Sequence, residues 1–258
     1  MNINGTCIAS TTDEHGPIYV YQTRSSRILS FDGKIQQSRM RLDDINGLSH
    51  SYTQAMMTGL FFIPTIKIAT ITGLGAGSMA KNLISSFSEL NVHAIEYREA
   101  VANTAKKYFH LPESDRLTIH IDDALHYMKN TGIKSDIIFS DLYNTAGMEP
   151  KQVQSAYLHD CKNALNEHGV LVLNIWQQAL QSREDLEELL ALVFGNSLLS
   201  FEVETGNIIV LAFKKNIPAI KNKALLDRGK YFQEKMNIPL ERYAKLLWNK
   251  QQYKFGTE

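Results

Sequence analysis

Two hydrophobic rhythms divide the chain. Residues 17–40 read as β structure: Ile18–Gln22 and Arg27–Phe31 are rich in aromatic and β-branched residues. Asp32-Gly33 follows, a dipeptide that favours a tight hairpin turn because glycine tolerates positive φ, and Ile35 continues the second arm. Residues 41–60 are less regular. Leu42, Ile45 and Leu48 predict one short amphipathic piece, and Tyr52–Leu60 a helix that ends before Pro64.

From Ile66 the rhythm changes. Ile66–Thr72 is a short β-branched run, followed by Gly73-Leu74-Gly75-Ala76-Gly77 and then by Ala80, Leu83, Ile84, Phe87 and Leu90 at helical spacing. Val92–Glu96, Leu117–Ile121, Asp136–Asp141 and Val170–Trp176 predict further strands. Helices are predicted at Ala100–Phe109, around Ala124–Lys129 and over 150–166. Strands alternating with helices at this interval imply an α/β protein with a parallel sheet covered on both faces. Phe201–Glu204 and Ile208–Phe213, around Thr205-Gly206, predict a closing hairpin. Residues 218–250 read as one or two helices divided near Pro239, the first made basic by Lys221, Lys223, Arg228 and Lys230 on a solvated face. The expected organisation is an N-terminal β unit with its connecting helix over 1–60 and a Rossmann-like α/β domain with C-terminal helices over 61–258.

Composition narrows the function classes. The chain has 258 residues, with 27 Lys+Arg against 27 Asp+Glu. Zero net charge argues against wholesale nucleic-acid or membrane-surface binding, which needs a basic excess. No run approaches the ~18 apolar residues of a membrane span, and Met1 to Thr12 lacks the basic and apolar regions of a signal peptide. A cytoplasmic protein is the expectation. Cys7 and Cys161 form no metal-binding spacing and read as idle thiols. His120 near Asp122 and Asp123 is too sparse for a metal site, and alternation turns it away from their face, so no metal is expected.

The candidate chemistry sits at strand ends. Gly73, Gly75 and Gly77 lie between a predicted strand and helix, where glycine lets a ligand approach backbone and the helix start offers free N–H groups. Glu96 ends the next strand, about 20 residues on, where an acid can accept both hydroxyl hydrogens of a ribose. Ser78 stands where a dinucleotide fingerprint wants glycine, which tilts the ligand toward a nucleoside such as S-adenosylmethionine. Asp123 can accept from the exocyclic amine of adenine, with Ala124 and Leu125 along the ring, although Asp122 can equally cap the following helix. Asp141 ends the fourth parallel strand and faces the same crevice, where a carboxylate can take a proton from an attacking amine. Trp176, ending the fifth strand, is read as core packing before pocket wall.

Taken together, Gly73–Ser78, Ile95-Glu96, Ala105–Phe109, Asp123 and Asp136–Asp141 resemble a spermidine synthase, as does Leu29–Gln36 with its Asp-Gly. The resemblance spans roughly residues 17–215. It implies a class I methyltransferase-like Rossmann fold, a doubly wound sheet with a small N-terminal β unit. It also implies a homodimer, and transfer of an aminopropyl group from decarboxylated S-adenosylmethionine to a small-molecule amine. On this resemblance Glu96 holds the ribose, Asp123 the adenine, and Asp141 is the base. Tyr52, Tyr143 and Asn144 fall at substrate-binding positions. The pattern is broken at several points: the family's Gly-loop acid is Ala76, its second acid after the base is Asn144, a glutamine before the first strand is Gly16, and of a Tyr-Gln/His-Glu segment only Tyr52 survives. Each loss weakens attraction to a diammonium substrate by an amount of order 2–5 kcal/mol where the charge pair is buried. Methyl transfer from S-adenosylmethionine and a non-catalytic role are the alternatives.

Overall fold

The computed structural model describes residues 3–144 and 147–255. Two sheets organise the chain. The first is a four-stranded antiparallel meander of β1 (Thr6–Asp13), β2 (Gly16–Gln22), β3 (Ser26–Ser30) and β4 (Ser38–Arg41). Ile18, Val20, Leu29, Phe31 and Met40 form its small core together with Ala76, Val101 and Phe109 from the larger domain. The Asp-Gly turn is present but wider than predicted. The Asp32 carboxylate accepts the amides of Lys34 and Ile35, and β4 begins only at Ser38, which leaves Ile35 exposed in the loop.

No helix forms over 42–48, where Asp43, Asp44, Asn46 and Gly47 favour turns over the expected amphipathic piece. The next helix, α1 (Ser51–Met56), tightens into a 3₁₀ segment over Met57–Phe62. Ala55, Met56, Leu60 and Phe61 pack in the large core, not with the β unit.

The second sheet has seven strands. In chain order they are β5 (Ile68–Thr72), β6 (Asn91–Glu96), β7 (Leu117–Ile121), β8 (Ser135–Ser140), β11 (Leu165–Trp176), β12 (Leu198–Glu202) and β13 (Asn207–Phe213). Their spatial order is β7-β6-β5-β8-β11-β13-β12, with β13 alone running against the direction of the other six. Two-residue strands β9 (Tyr143–Asn144) and β10 (Gly147–Met148) pair beside it. The helices are α2 (Ser78–Ser86), α3 (Glu99–Tyr108), α4 (Ala124–Asn130), α5 (Ser155–Ala164), α6 (Arg183–Phe194), α7 (Asn222–Met236) and α8 (Leu240–Gln251). The helix α6, capped by the Ser182 hydroxyl on the Asp185 amide, fills the stretch before the closing hairpin.

Strand order reverses between β5 and β8, because the chain leaves β5 toward β6 and β7 and returns on the other side. That is the switch point at which open α/β sheets carry their ligand crevice. The basic helix α7 is more than a solvated face: Arg228 donates to the carbonyls of Leu60 (3.2 Å) and Ile63 (2.6 Å), closing the open end of the 3₁₀ segment. Leu225, Phe232, Leu240 and Leu247 of α7 and α8 complete the core on that side. Among the described residues no helix is long and apolar enough to cross a membrane.

Candidate active site

A cleft of about 750 Å³ opens at the switch point, between the carboxyl ends of β5, β6, β7, β8 and β11 and the rim of the small sheet. None of residues 218–250 lines it. It has two halves.

The first half is built by the Gly loop and the ends of β6 and β7. Gly73 has φ +95°, and a Cβ there would lie 2.2 Å from the Asp141 carbonyl oxygen. Only glycine lets the ends of β5 and β8 come this close. The Gly75 amide donates to the Glu96 carboxylate at 3.3 Å, and the Arg98 amide donates to its other oxygen at 3.0 Å. Burial raises the Glu96 pKa, and these backbone donors pull it back. Gly77 stands apart: it starts α2 with φ +75° and packs against Leu111, off the cleft wall. Ala76 is fully buried in the small core, so this loop offers the cleft no carboxylate.

Asp123 is the N-cap of α4, one carboxylate oxygen accepting the amides of Leu125 (2.8 Å) and His126 (3.0 Å). The cap thus falls to Asp123 and not to Asp122, which pairs with the His126 imidazole at 3.0 Å. Asp123, Ala124 and Leu125 all line the cleft. His120 points elsewhere, against His93 (3.2 Å) and Tyr127.

The second half centres on Asp141, just past the end of β8. The Asn174 side-chain amide donates to Asp141 Oδ1 at 2.8 Å, and Tyr52 hydrogen-bonds the same carboxyl group. Burial pushes the Asp141 pKa up to about 6 against the pull of those two donors. Asn174 is itself fixed: its oxygen accepts from Asn207 at 2.9 Å, and its amide also reaches the Tyr143 hydroxyl at 3.3 Å. Burial, with Asp141 nearby, raises the Tyr143 phenol. Behind these, Gln152 accepts from Ser140 and donates to the Asn174 carbonyl, holding the strand ends together. Asn144 donates to Glu149 at 3.1 Å on the cleft rim. Trp176 lines the cleft as a wall, beside Gly147.

Residues Asn174, Asn207 and Gln152 escaped the sequence reading. Two of them carried a signal: Asn174 interrupts the apolar run 170–175, and Asn207 opens the apolar run of β13. A buried amide in such a run needs a partner, and its partner here is the site.

The spermine/spermidine synthase domain matches residues 49–208, more than half of the chain. The chain belongs to the spermine/spermidine synthase family. A polyamine aminopropyltransferase of Neisseria meningitidis serogroup A is 30% identical over 206 residues, covering 77% of this chain and 78% of that one. Among solved structures, a probable spermidine synthase from Corynebacterium glutamicum superposes with TM-score 0.73 at 18% identity, covering 93% of this chain and 94% of that chain. Human methyltransferase-like protein 13 in complex with SAH superposes with TM-score 0.65 at 22% identity over 74% of this chain and 94% of that one. These likenesses establish the class I methyltransferase-like fold. Glu96, Asp123 and Asp141 lie inside the stretch that matches the synthase family, whereas the small sheet precedes it.

Proposed function

We propose that the protein transfers an alkyl group, of the aminopropyl class, from an S-adenosylmethionine-type sulfonium nucleoside to an amine. The observation that carries this reading is Asp141: a carboxylate with a pKa near 6, pinned by Asn174 and Tyr52, across the cleft from Glu96 and Asp123. Glu96 would accept the ribose hydroxyls, Asp123 would accept from adenine with the oxygen its cap leaves open, and Gly73, Gly75 and Ala124 would let the nucleoside approach backbone. Gly77 would serve the fold in this reading. Tyr52, Tyr143 and Asn144 would surround the acceptor amine. The amine nitrogen attacks the carbon beside sulfur, the C–S bond breaks as the C–N bond forms, and the released proton passes to Asp141. No metal takes part in the reading. A homodimer through the small sheet belongs to it, and a monomer on gel filtration at micromolar concentration would remove that part.

Methyl transfer is the second reading. The observation that favours it is that residue 76 is an alanine, which leaves no acid at the Gly loop to neutralise a propylammonium tail.

The test is to incubate the protein with decarboxylated S-adenosylmethionine and a panel of amines, then quantify methylthioadenosine and the aminopropylated product. The same is done with S-adenosylmethionine, reading S-adenosylhomocysteine. Wild type is expected to release methylthioadenosine, and Asp141→Asn to lose turnover while still binding it. Release of S-adenosylhomocysteine alone would select methyl transfer. No product from either donor would end both readings.

A further inference from the structure

Within the cleft, one group of side chains has the wrong charge for a donor and acceptor that are both purely cationic. Arg39 of β4 and Ser49 and His50, just before α1, line the cleft, and burial together with the nearby Arg39 charge lowers the His50 pKa. The Arg39 Nε donates to the Ser26 hydroxyl at 2.9 Å, and among the described residues no carboxylate forms an ion pair with its guanidinium. The Ser49 hydroxyl and the His50 Nε2 are buried with no hydrogen-bond partner. A buried polar atom without a partner costs free energy comparable to a lost hydrogen bond, so two of them on one cleft wall call for a polar partner from the cleft.

The place is specific. The His50 ring stacks on Tyr52 with centroids 5.6 Å apart, and Tyr52 is bonded to Asp141. Ser38, next to Arg39 in β4, accepts from the Ala76 amide and crowds Gly75. The cluster therefore borders the space between the Gly loop and Asp141, where the non-nucleoside part of a bound donor and the acceptor would meet. A guanidinium there repels an ammonium and offers a forked pair of donors to a carboxylate.

We propose that Arg39, with Ser49 and His50, forms a subsite for a carboxylate carried by one of the two co-substrates. The inference rests on the nucleoside reading given above and names a feature of its substrates: one of them is an amino acid derivative or carries an equivalent anionic end. The carboxylate belongs either to the donor, as in S-adenosylmethionine itself, or to the acceptor amine.

Calorimetric titration separates the two sources. The donor arm compares S-adenosylmethionine with its decarboxylated form. The acceptor arm is run with methylthioadenosine bound and compares 4-aminobutanoate with 1,4-diaminobutane, the same chain with one end exchanged. Each arm is repeated on Arg39→Gln and Arg39→Lys. In wild type the carboxylate-bearing ligand of one arm is expected to bind at least about ten-fold tighter than its counterpart. Arg39→Gln should bring that ratio toward one and Arg39→Lys should retain part of it. Binding of methylthioadenosine by each variant shows that it is folded. Equal or reversed preference in both arms, or a preference that survives Arg39→Gln, would overturn the subsite. Failure of methylthioadenosine to bind wild type would overturn the nucleoside reading, and the subsite with it.

Discussion

Replacing Asp141 by asparagine should make the protein more stable while abolishing its chemistry. The folded-state pKa of Asp141 is raised from 3.8 to about 6 by burial. The folded chain therefore holds this proton over a range in which the unfolded chain has already released it. Where the folded state binds more protons, stability falls as pH rises. The penalty is absent below about pH 4, where both states are protonated, grows between about pH 4 and 6, and is constant above that. Two units at ~1.4 kcal/mol each set an upper bound of about 3 kcal/mol. An asparagine has the same shape and can accept from the Asn174 amide, and its own amide can donate to the Tyr52 oxygen. Urea unfolding of wild type and Asp141→Asn is followed by fluorescence at about pH 4, 5, 6, 7 and 8. The variant should gain 1–3 kcal/mol at about pH 8, roughly 3–10 °C in Tm, and nothing near pH 4. A variant less stable than wild type at about pH 8, or a difference that ignores pH, would refute the account of Asp141 as a carboxylate held against its preference.

Three further outcomes test other parts of the structure. Asn174→Ala removes a donor that holds the Asp141 pKa down, so the acid limb of any pH–rate profile should move to higher pH by up to about one unit; an unmoved limb would mean that Asn174 only packs. Lys81 is 2% exposed, donates to the Phe109 carbonyl at 2.6 Å, and burial lowers its pKa from 10.5 to about 8. Its penalty is full below about pH 8 and fades toward about pH 10.5, so Lys81→Met should stabilise at about pH 7 by roughly 1–2 kcal/mol after the lost hydrogen bond, with the gain shrinking in alkaline urea titrations. Gly73→Ala must place a Cβ against the Asp141 carbonyl in a backbone conformation that side chains rarely adopt, and a loss of more than about 3 kcal/mol, or insolubility, is expected in thermal melts.

The strand ends were the legible part of this sequence. Thr72, Glu96, Ile121 and Ser140 close runs whose β-branched character is plain; Gly73, Asp122 and Asp141 follow three of them at once, and the fourth ends in the acid Glu96 itself. Position alone therefore put Gly73, Gly75, Glu96, Asp123 and Asp141 on one edge. β1 was not legible, since Thr6–Asp13 is an exposed edge strand with no apolar face to impose alternation. The reach of individual atoms was also hidden. Nothing in the spacing says that Gly77 meets Leu111, or that Ala76 turns into the small core, because both depend on how α2 and the small sheet dock. The polar network behind Asp141 joins residues 52, 141, 174 and 207, which only the sheet order brings together.

Arg98 gives the molecule a property beyond recognition. Its amide holds the Glu96 carboxylate, and its guanidinium grips Asp13 (2.7 Å) and the Gly16 carbonyl (2.7 Å) on either side of the β1–β2 turn. The two sheets are thus latched through one residue whose backbone serves the cleft and whose side chain serves the hairpin. Lifting the hairpin would strand a buried cation and tug the peptide that orients Glu96. If a ligand occupies Glu96 as proposed, it should therefore steady the hairpin as well as the cleft, and amide exchange in β1 and β2, strands that do not line the cleft, should slow on binding.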